Sequence, residues 1–369
     1  MDDNITTGTE TAVSLPGKQM IRTANPVKKG THEPLVNYWP HFLLRNGNVQ
    51  TILSRHIRPD AHLVTRGEQM LLLDAGPDHT GFDPGRSVRL LGFYTPGRLG
   101  TDAGEPRGLV MLLHGWEGDS HSAYNLSMGS ALVRAGYDVL RLNMRDHGPT
   151  HHLNKGLFYA TLIQEVHVAA QQAGLLAGKR PFFLIGASLG ANFVVRIALR
   201  NARNLIPNLS RAIAVNPVLN PQRTSTLLDQ HAFLRPYFRN CWLKSLRKKQ
   251  LLFPDLYDFS ALESIPTIQE MSHWLIKQSD RFSNVDEYLN AYSVRPSDIA
   301  KLSVPLSILT AANDPIIPPG DIAALPSHPL LQVNVLRYGG HVGYNDLFPL
   351  HSRLPELVVP LLEQDDNTN

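Results

Sequence analysis

Cysteine is nearly absent. Cys241 is the one cysteine in 369 residues, so no disulfide can form within the chain, which fits a reducing compartment. Excess charge is missing too. Lys and Arg number 35 and Asp and Glu 32, a formal net charge of +3 that gives no case for nucleic-acid binding. No apolar run approaches the roughly 20 residues that span a bilayer. Met1 to Gly17 is polar and contains acids, without the basic start and apolar core of a secretory signal. The expectation is a cytoplasmic protein with neither export nor a membrane span. Internal repeats and low-complexity blocks are lacking as well.

What is present suits a large globular core. Hydrophobic residues make up 43% and charged residues 18%, over a length that holds one large domain or two small ones. Residues 1–34 and 363–369 read as flexible polar tails, leaving 35–362 for the folded domain. Eight short apolar runs read as strands: 70–74, 88–94, 109–113, 139–142, 182–185, 212–215, 306–309 and 333–336. The first two are joined without room for a helix, so they pair antiparallel. From the third onward, strands alternate with helical patterns, which predicts an α/β fold with a mostly parallel sheet and helices on both faces. Residues 218–297, between the sixth and seventh strands, lack strand patterns. They read as a helical insertion capping the site.

The chemistry centres on Gly186-Ala187-Ser188-Leu189-Gly190, between the strand ending at Ile185 and the helical pattern Asn192 to Arg200. Small residues two before and two after the serine let strand and helix crowd together at a sharp turn. The turn exposes the Ser188 hydroxyl over a helix N-terminus, where the Leu189 amide can meet a developing negative charge. A serine hydroxyl is a weak nucleophile unless a base takes its proton, so a histidine and an acid should follow. Asp314 comes directly after the seventh strand, at the carboxyl end where open α/β sheets gather active groups. His341 follows the eighth strand within Gly339-Gly340-His341-Val342-Gly343, whose glycines let it approach another backbone. Ser188 reads as nucleophile, His341 as general acid/base and Asp314 as its orienting partner, and no metal or organic cofactor is needed.

Two other clusters carry competing readings. Asp146-His147 with His151-His152 looks like a set of metal ligands. The spacing fits neither the helical zinc pattern nor a Cys/His site, and Gly148-Pro149 marks a turn, so a hydrogen-bonded loop beside the pocket is the stronger reading. The basic aromatic stretch Arg235 to Lys249 suits peripheral contact with an anionic membrane. An amphipathic helix with one solvated face is the simpler account.

The assembled pattern, in the chain order Ser, Asp, His, resembles the α/β-hydrolase superfamily over roughly 36–362. Within it the chain is similar to the YheT-like branch, which includes Emb8-like proteins and abhydrolase-domain lipases. Three stretches carry that resemblance. Asn46-Gly47-Asn48-Val49-Gln50-Thr51 is similar to an Asn-x-x-x-Gln-Thr signature, His114-Gly115-Trp116-Glu117-Gly118 to a His-Gly-x-Glu-Gly loop, and Gly339 to Tyr344 to the branch's histidine segment. Tyr338 and Tyr344 stand where the branch often has His and Phe, and the loop from Asp146 to His152 departs from the branch's pattern. The resemblance implies an oxyanion hole made by the backbone amides of Trp116 and Leu189. His114, Glu117, His147 and Tyr344 become pocket candidates, although His114 also reads as packing beneath the loop. It further implies hydrolysis of short- to medium-chain acyl esters or acylglycerols. Acyl transfer to an alcohol, thioester or peptide hydrolysis, and a non-catalytic binding module are the rivals.

Overall fold

A computed structural model of the chain describes residues 22–23, 37–57, 59–97 and 104–363. All eight apolar runs form strands: β1 (Gln69–Pro77), β2 (Ser87–Thr95), β3 (Leu109–Leu113), β4 (Asp138–Leu142), β5 (Phe182–Ala187), β6 (Leu209–Val215), β7 (Leu306–Ala311) and β8 (Leu331–Leu336). Their order across the sheet is β1-β2-β4-β3-β5-β6-β7-β8. β2 is antiparallel to both neighbours and the remaining pairs are parallel. A two-residue strand, Arg22–Thr23, adds a ninth, parallel to the outer edge of β8. Two residues are too few to show a period in sequence, so this edge was not foreseen. Otherwise the expected tails 1–34 and 363–369 lie outside the described residues, except for Glu363, which ion-pairs with Arg107 at 2.7 Å.

Strand side chains alternate between two apolar layers, as the pleat requires. Leu109, Met111 and Leu113 of β3 face the layer that holds α3 (Ile163–Leu176) and α4 (Leu189–Arg200). Val110 and Leu112 face the layer of α2 (Ala123–Arg134) and α9 (Leu354–Val358). Helix α1 (Gly47–Leu53) precedes the sheet. Between β6 and β7 the chain adds α5 (Pro221–Gln230), α6 (Leu234–Leu252), α7 (Ile268–Lys277) and α8 (Val285–Ala291). These helices have their own small core, with Leu243, Leu246, Met271 and Leu275 packed on Leu157, Tyr159 and Leu162 of the main body. Two cations of the basic stretch turn toward the protein, Arg239 donating to the Ile265 carbonyl at 2.6 Å and Lys249 buried, while Arg247 pairs with Glu263 at 2.7 Å on the exposed face. No helix among the described residues is long and apolar enough to cross a membrane.

Two segments cross closely at the turn between β5 and α4. A Cβ placed on Gly190 would collide with the carbonyl oxygens of Leu113 and His114 at the end of β3. Neither backbone can retreat without breaking sheet hydrogen bonds. Gly190→Ala should therefore cost about 2–3 kcal/mol, read as a lowered denaturation midpoint with an unchanged m-value.

Candidate active site

The turn after β5 holds Ser188 at φ 55° and ψ −117°, a strained backbone for any residue with a Cβ. Its amide donates to the Val215 carbonyl at 2.9 Å, which pins the turn to the end of β6. Helix α4 begins at Leu189, so the free amides of its first turn lie beside the serine. The strain and the dipole together place a half-buried hydroxyl where negative charge is tolerated.

The three residues expected to act together are brought together. Ser188 Oγ lies 2.8 Å from His341 Nε2, and His341 Nδ1 lies 2.8 Å from Asp314 Oδ2. A carboxylate only accepts, so Nδ1 carries the proton and Nε2 is free to accept from the serine hydroxyl. Asp314 has four donors. Oδ1 accepts from the amides of Ile316 and Ile317, both at 2.9 Å, and Oδ2 accepts from His341 and from Asn216 Nδ2 at 2.7 Å. Bonding of this kind satisfies the buried carboxyl group and fixes its orientation.

Sequence reasoning missed the residues that set this geometry. Asn216, just past β6, also donates to the Gly340 carbonyl at 3.1 Å and accepts from the Tyr344 hydroxyl at 2.8 Å. It ties the acid to the loop that carries the histidine. The Asn-x-x-x-Gln-Thr stretch does similar work from α1. Asn46 caps that helix through the amides of Asn48 and Val49. Gln50 is fully buried and exchanges hydrogen bonds with Asn345, accepting from its amide at 2.7 Å and donating to its carbonyl at 3.0 Å. Thr51 Oγ1 accepts the His341 amide at 2.8 Å while donating to Gly47. Gly340 is required for this approach, because a Cβ there would stand 2.8 Å from Gln50 Cβ and Thr51 Oγ1. The resemblance marked these α1 residues, and their coupling to His341 was the part no local pattern could reveal.

The loop after β3, Gly115 to Gly118, closes over the same serine. A Cβ on Gly115 would stand 3.2 Å from Ser188 Cβ. The next ring, Trp116, stacks on Phe238 with centroids 5.6 Å apart and meets Trp242 edge-on at 5.1 Å, both on α6. A cavity of about 150 Å³ opens here, lined by Ser188, Leu189, Trp116, Glu117, His147 and largely apolar residues of the inserted helices. Two of the four pocket candidates are thus in the lining, Glu117 and His147. The other two need correction. His114 is fully buried beneath the loop: Met144 donates to its Nε2 at 3.0 Å, so Nδ1 carries the proton and donates to the Gly115 carbonyl at 2.8 Å. Burial pushes it down to about 4, so it is a neutral support. Tyr344 is also fully buried. Its hydroxyl is spent on Asn216, behind Asp314, because the left-handed backbone at Val342 and Tyr344 turns the ring inward.

The histidine-rich turn after β4 is a hydrogen-bonded loop. Its buried Asp146 meets Lys249 of α6 at 2.7 Å and accepts the Phe158 amide at 2.9 Å. His147 donates from Nδ1 to the Arg145 carbonyl at 2.7 Å, and burial pushes it down to about 3. Among the described residues no three His, Cys, Asp or Glu side chains gather as a metal site. Burial pushes the Glu117 carboxyl up from the usual 4.5 to about 8, and nearby Asp146 adds to the effect.

Two outcomes follow from this geometry. Thr51→Val removes the acceptor for the His341 amide, and fluorophosphonate labelling of Ser188 should slow about tenfold, with Thr51→Ser close to the original rate. Equal labelling of the valine variant would show that the α1 brace does not set the histidine. Glu117 is held neutral when folded but ionises near 4.5 when unfolded, so its burial is free of cost below that pH and costs stability progressively up to about 8. Glu117→Gln should match the original melting temperature at pH 4.5 and exceed it by about 2–5 °C at pH 8.5. A constant difference across that range would place an ionised carboxylate in the folded state.

Comparison with known proteins agrees with this architecture. Residues 104–329 match the family described as serine aminopeptidase, S33. Over 232 residues the chain is 28% identical to "Putative esterase slr0264" of Synechocystis sp., an alignment covering 56% of this chain and 62% of that relative's length. Among solved structures, a 2,6-dihydroxy-pseudo-oxynicotine hydrolase superposes with a TM-score of 0.51 at 13% identity, covering 85% of this chain and 70% of the other. A Pyrococcus furiosus esterase superposes with a TM-score of 0.49 at 14% identity, covering 80% and 91%. With the sheet order, the turn at Ser188 and a family match over more than half its length, the chain belongs to the serine aminopeptidase family of the α/β-hydrolase superfamily.

Proposed function

We propose that this protein is a serine hydrolase that cleaves carboxylic esters through an acyl-enzyme on Ser188. The observation that carries the reading is the unbroken chain of 2.8 Å contacts from Ser188 to His341 to Asp314, opening onto an apolar cavity. Ser188 Oγ attacks the ester carbonyl while its proton passes to His341 Nε2. The carbonyl π electrons move to oxygen, where the amides of Leu189 and Trp116 meet the charge. The tetrahedral intermediate collapses, the C–O bond to the alcohol breaks, and His341 returns its proton to the leaving oxygen. Water, deprotonated by His341, then attacks the acyl-enzyme and releases the acid and the serine. Asp314 orients the imidazole and stabilises the imidazolium that forms.

The cavity supports an apolar acyl group of modest size. A volume of about 150 Å³ is what a benzene ring occupies, which suits acyl chains of roughly four to eight carbons. The three motif stretches support placement in the YheT-like branch, since each lies at the site: Gln50 and Thr51 beside His341, Glu117 in the cavity, and Gly340 against α1. The single cysteine suits a reducing compartment.

The test is hydrolysis of a nitrophenyl ester series from C2 to C16, beside aminoacyl nitroanilides, by the protein and by Ser188→Ala. An optimum between C4 and C8 is expected, with a loss of at least about 10³-fold in the variant and no anilide cleavage. Equal ester rates in both proteins would sink the reading. Ser188-dependent anilide cleavage without ester cleavage would move the activity to peptides.

A further inference from the structure

The cavity beside Ser188 is walled mainly by Leu157, Phe158, Phe238, Trp242, Leu246 and Tyr288. A carboxyl group in such surroundings is costly unless it is partnered. Glu117 lies in that lining, and its carboxyl has no hydrogen-bond partner among the described residues. Its backbone is a second observation. The Gly118 amide donates to the Gly115 carbonyl at 3.1 Å, closing a four-residue turn whose third residue is Glu117, at φ 56°. That position of a turn is filled at least cost by glycine or asparagine. A glutamate held there, strained by about 1 kcal/mol or more and unpartnered, is kept for what its side chain meets in the cavity.

The neighbours restrict what that is. Lys249 is the one cation among the described lining residues. Its ammonium is committed to Asp146 at 2.7 Å and to the carbonyls of His151, Asn154 and Gly156 at 3.3, 2.5 and 3.2 Å. No cation is left for a substrate carboxylate or phosphate. Burial pushes Glu117 up to about 8, so near neutral pH it is a carboxylic acid, suited to an uncharged hydroxyl more than to an ammonium. It also follows Trp116, whose amide meets the carbonyl oxygen in the proposed mechanism, so its reach is a few bonds from the ester. The apolar wall takes the acyl chain, which leaves the alcohol side.

Resting on the ester-hydrolase reading, we propose that Glu117 is a specificity-determining residue that binds a free hydroxyl on the alcohol part of the ester, about two carbons from the ester oxygen. The test compares kcat/KM at pH 7 for 2-hydroxyethyl, propyl and 2-(dimethylamino)ethyl hexanoate, in the original protein, Glu117→Gln and Glu117→Gly. The first two esters have alcohol parts of equal length, and an apolar pocket alone would favour propyl. The original protein should prefer hydroxyethyl over propyl by about fivefold or more, the worth of one neutral hydrogen bond. Glu117→Gln should keep part of that ratio. Glu117→Gly, which relieves the strained turn and should melt no lower, should bring the ratio to one or below. A ratio of one in the original protein, with hydrolysis that still depends on Ser188, overturns the hydroxyl assignment alone. So does a ratio that survives Glu117→Gly, or a preference for the dimethylaminoethyl ester, which would mark Glu117 as an anionic site. Failure to cleave any of the three esters in a Ser188-dependent way overturns the ester-hydrolase reading, and this inference with it.

Discussion

Everything at this site depends on satisfying one buried carboxyl group. Asp314 is removed from water, and without partners it would be costly to bury and free to turn away from His341. Four donors prevent that, and they come from three places in the chain. Two are backbone amides of its own loop, one is Asn216 at the end of β6, and one is His341 after β8. The parallel sheet puts all three loops at one end, so a single charge can be satisfied by segments about 100 residues apart in sequence. Asn216 gains most from this placement. It satisfies the acid, holds the Gly340 carbonyl and accepts from Tyr344, so the acid and histidine loops have little freedom to move independently.

The inserted helices answer a second requirement, a dry and shaped wall opposite the serine. Their attachment is both apolar and ionic. Trp116, on the loop after β3, is packed between Phe238 and Trp242, so α6 steadies that loop through its aromatic face. About two turns beyond Trp242, Lys249 enters the main body and meets Asp146. Burial pushes both groups toward their neutral forms, the acid up and the amine down, and their short contact opposes this. Breaking such a pair from one side leaves an uncompensated charge, a penalty of about 3–5 kcal/mol. The arrangement therefore ties the position of α6, and through it the loop over Ser188, to the end of β4.

Much of the fold was legible because its signals are local. Each of the eight longer strands is an apolar run of four or more residues, and each residue of the candidate triad lies in the loop or turn that follows one of them. The serine turn needs small residues at fixed offsets, which Gly186 and Gly190 supply. What was not legible depends on contacts without a local period. Lys249 belongs to a basic helical face in sequence and is a buried partner of Asp146 in the fold. Tyr344 follows His341 closely and so looked like a pocket residue, yet the left-handed turn at Val342 sends it behind Asp314. His114 was legible in part: it reads in sequence as packing beneath its loop, and it does so through Met144 and Gly115. Asn216 carried no signal at all, since a lone asparagine after a strand is ordinarily a turn residue.

Backbone strain separates the residues held for function from those held for packing. Eight non-glycine residues among those described have positive φ: Glu117, Asp146, Ser188, Asn208, Asn216, Val342, Tyr344 and Phe348. Six of the eight lie at or directly behind the cavity. Each costs on the order of 1–3 kcal/mol and persists only where surrounding contacts over-determine it. For five of the six that surrounding is visible. Ser188 is fixed between β5 and α4, Asp146 by Lys249, Asn216 by Asp314 and Gly340, and the pair Val342 and Tyr344 by the brace from α1. Glu117 is the exception. Its turn is closed by one backbone bond, its side chain has no hydrogen-bond partner among the described residues, and its position would suit glycine better. Strain that nothing among the described residues offsets points to what enters the cavity.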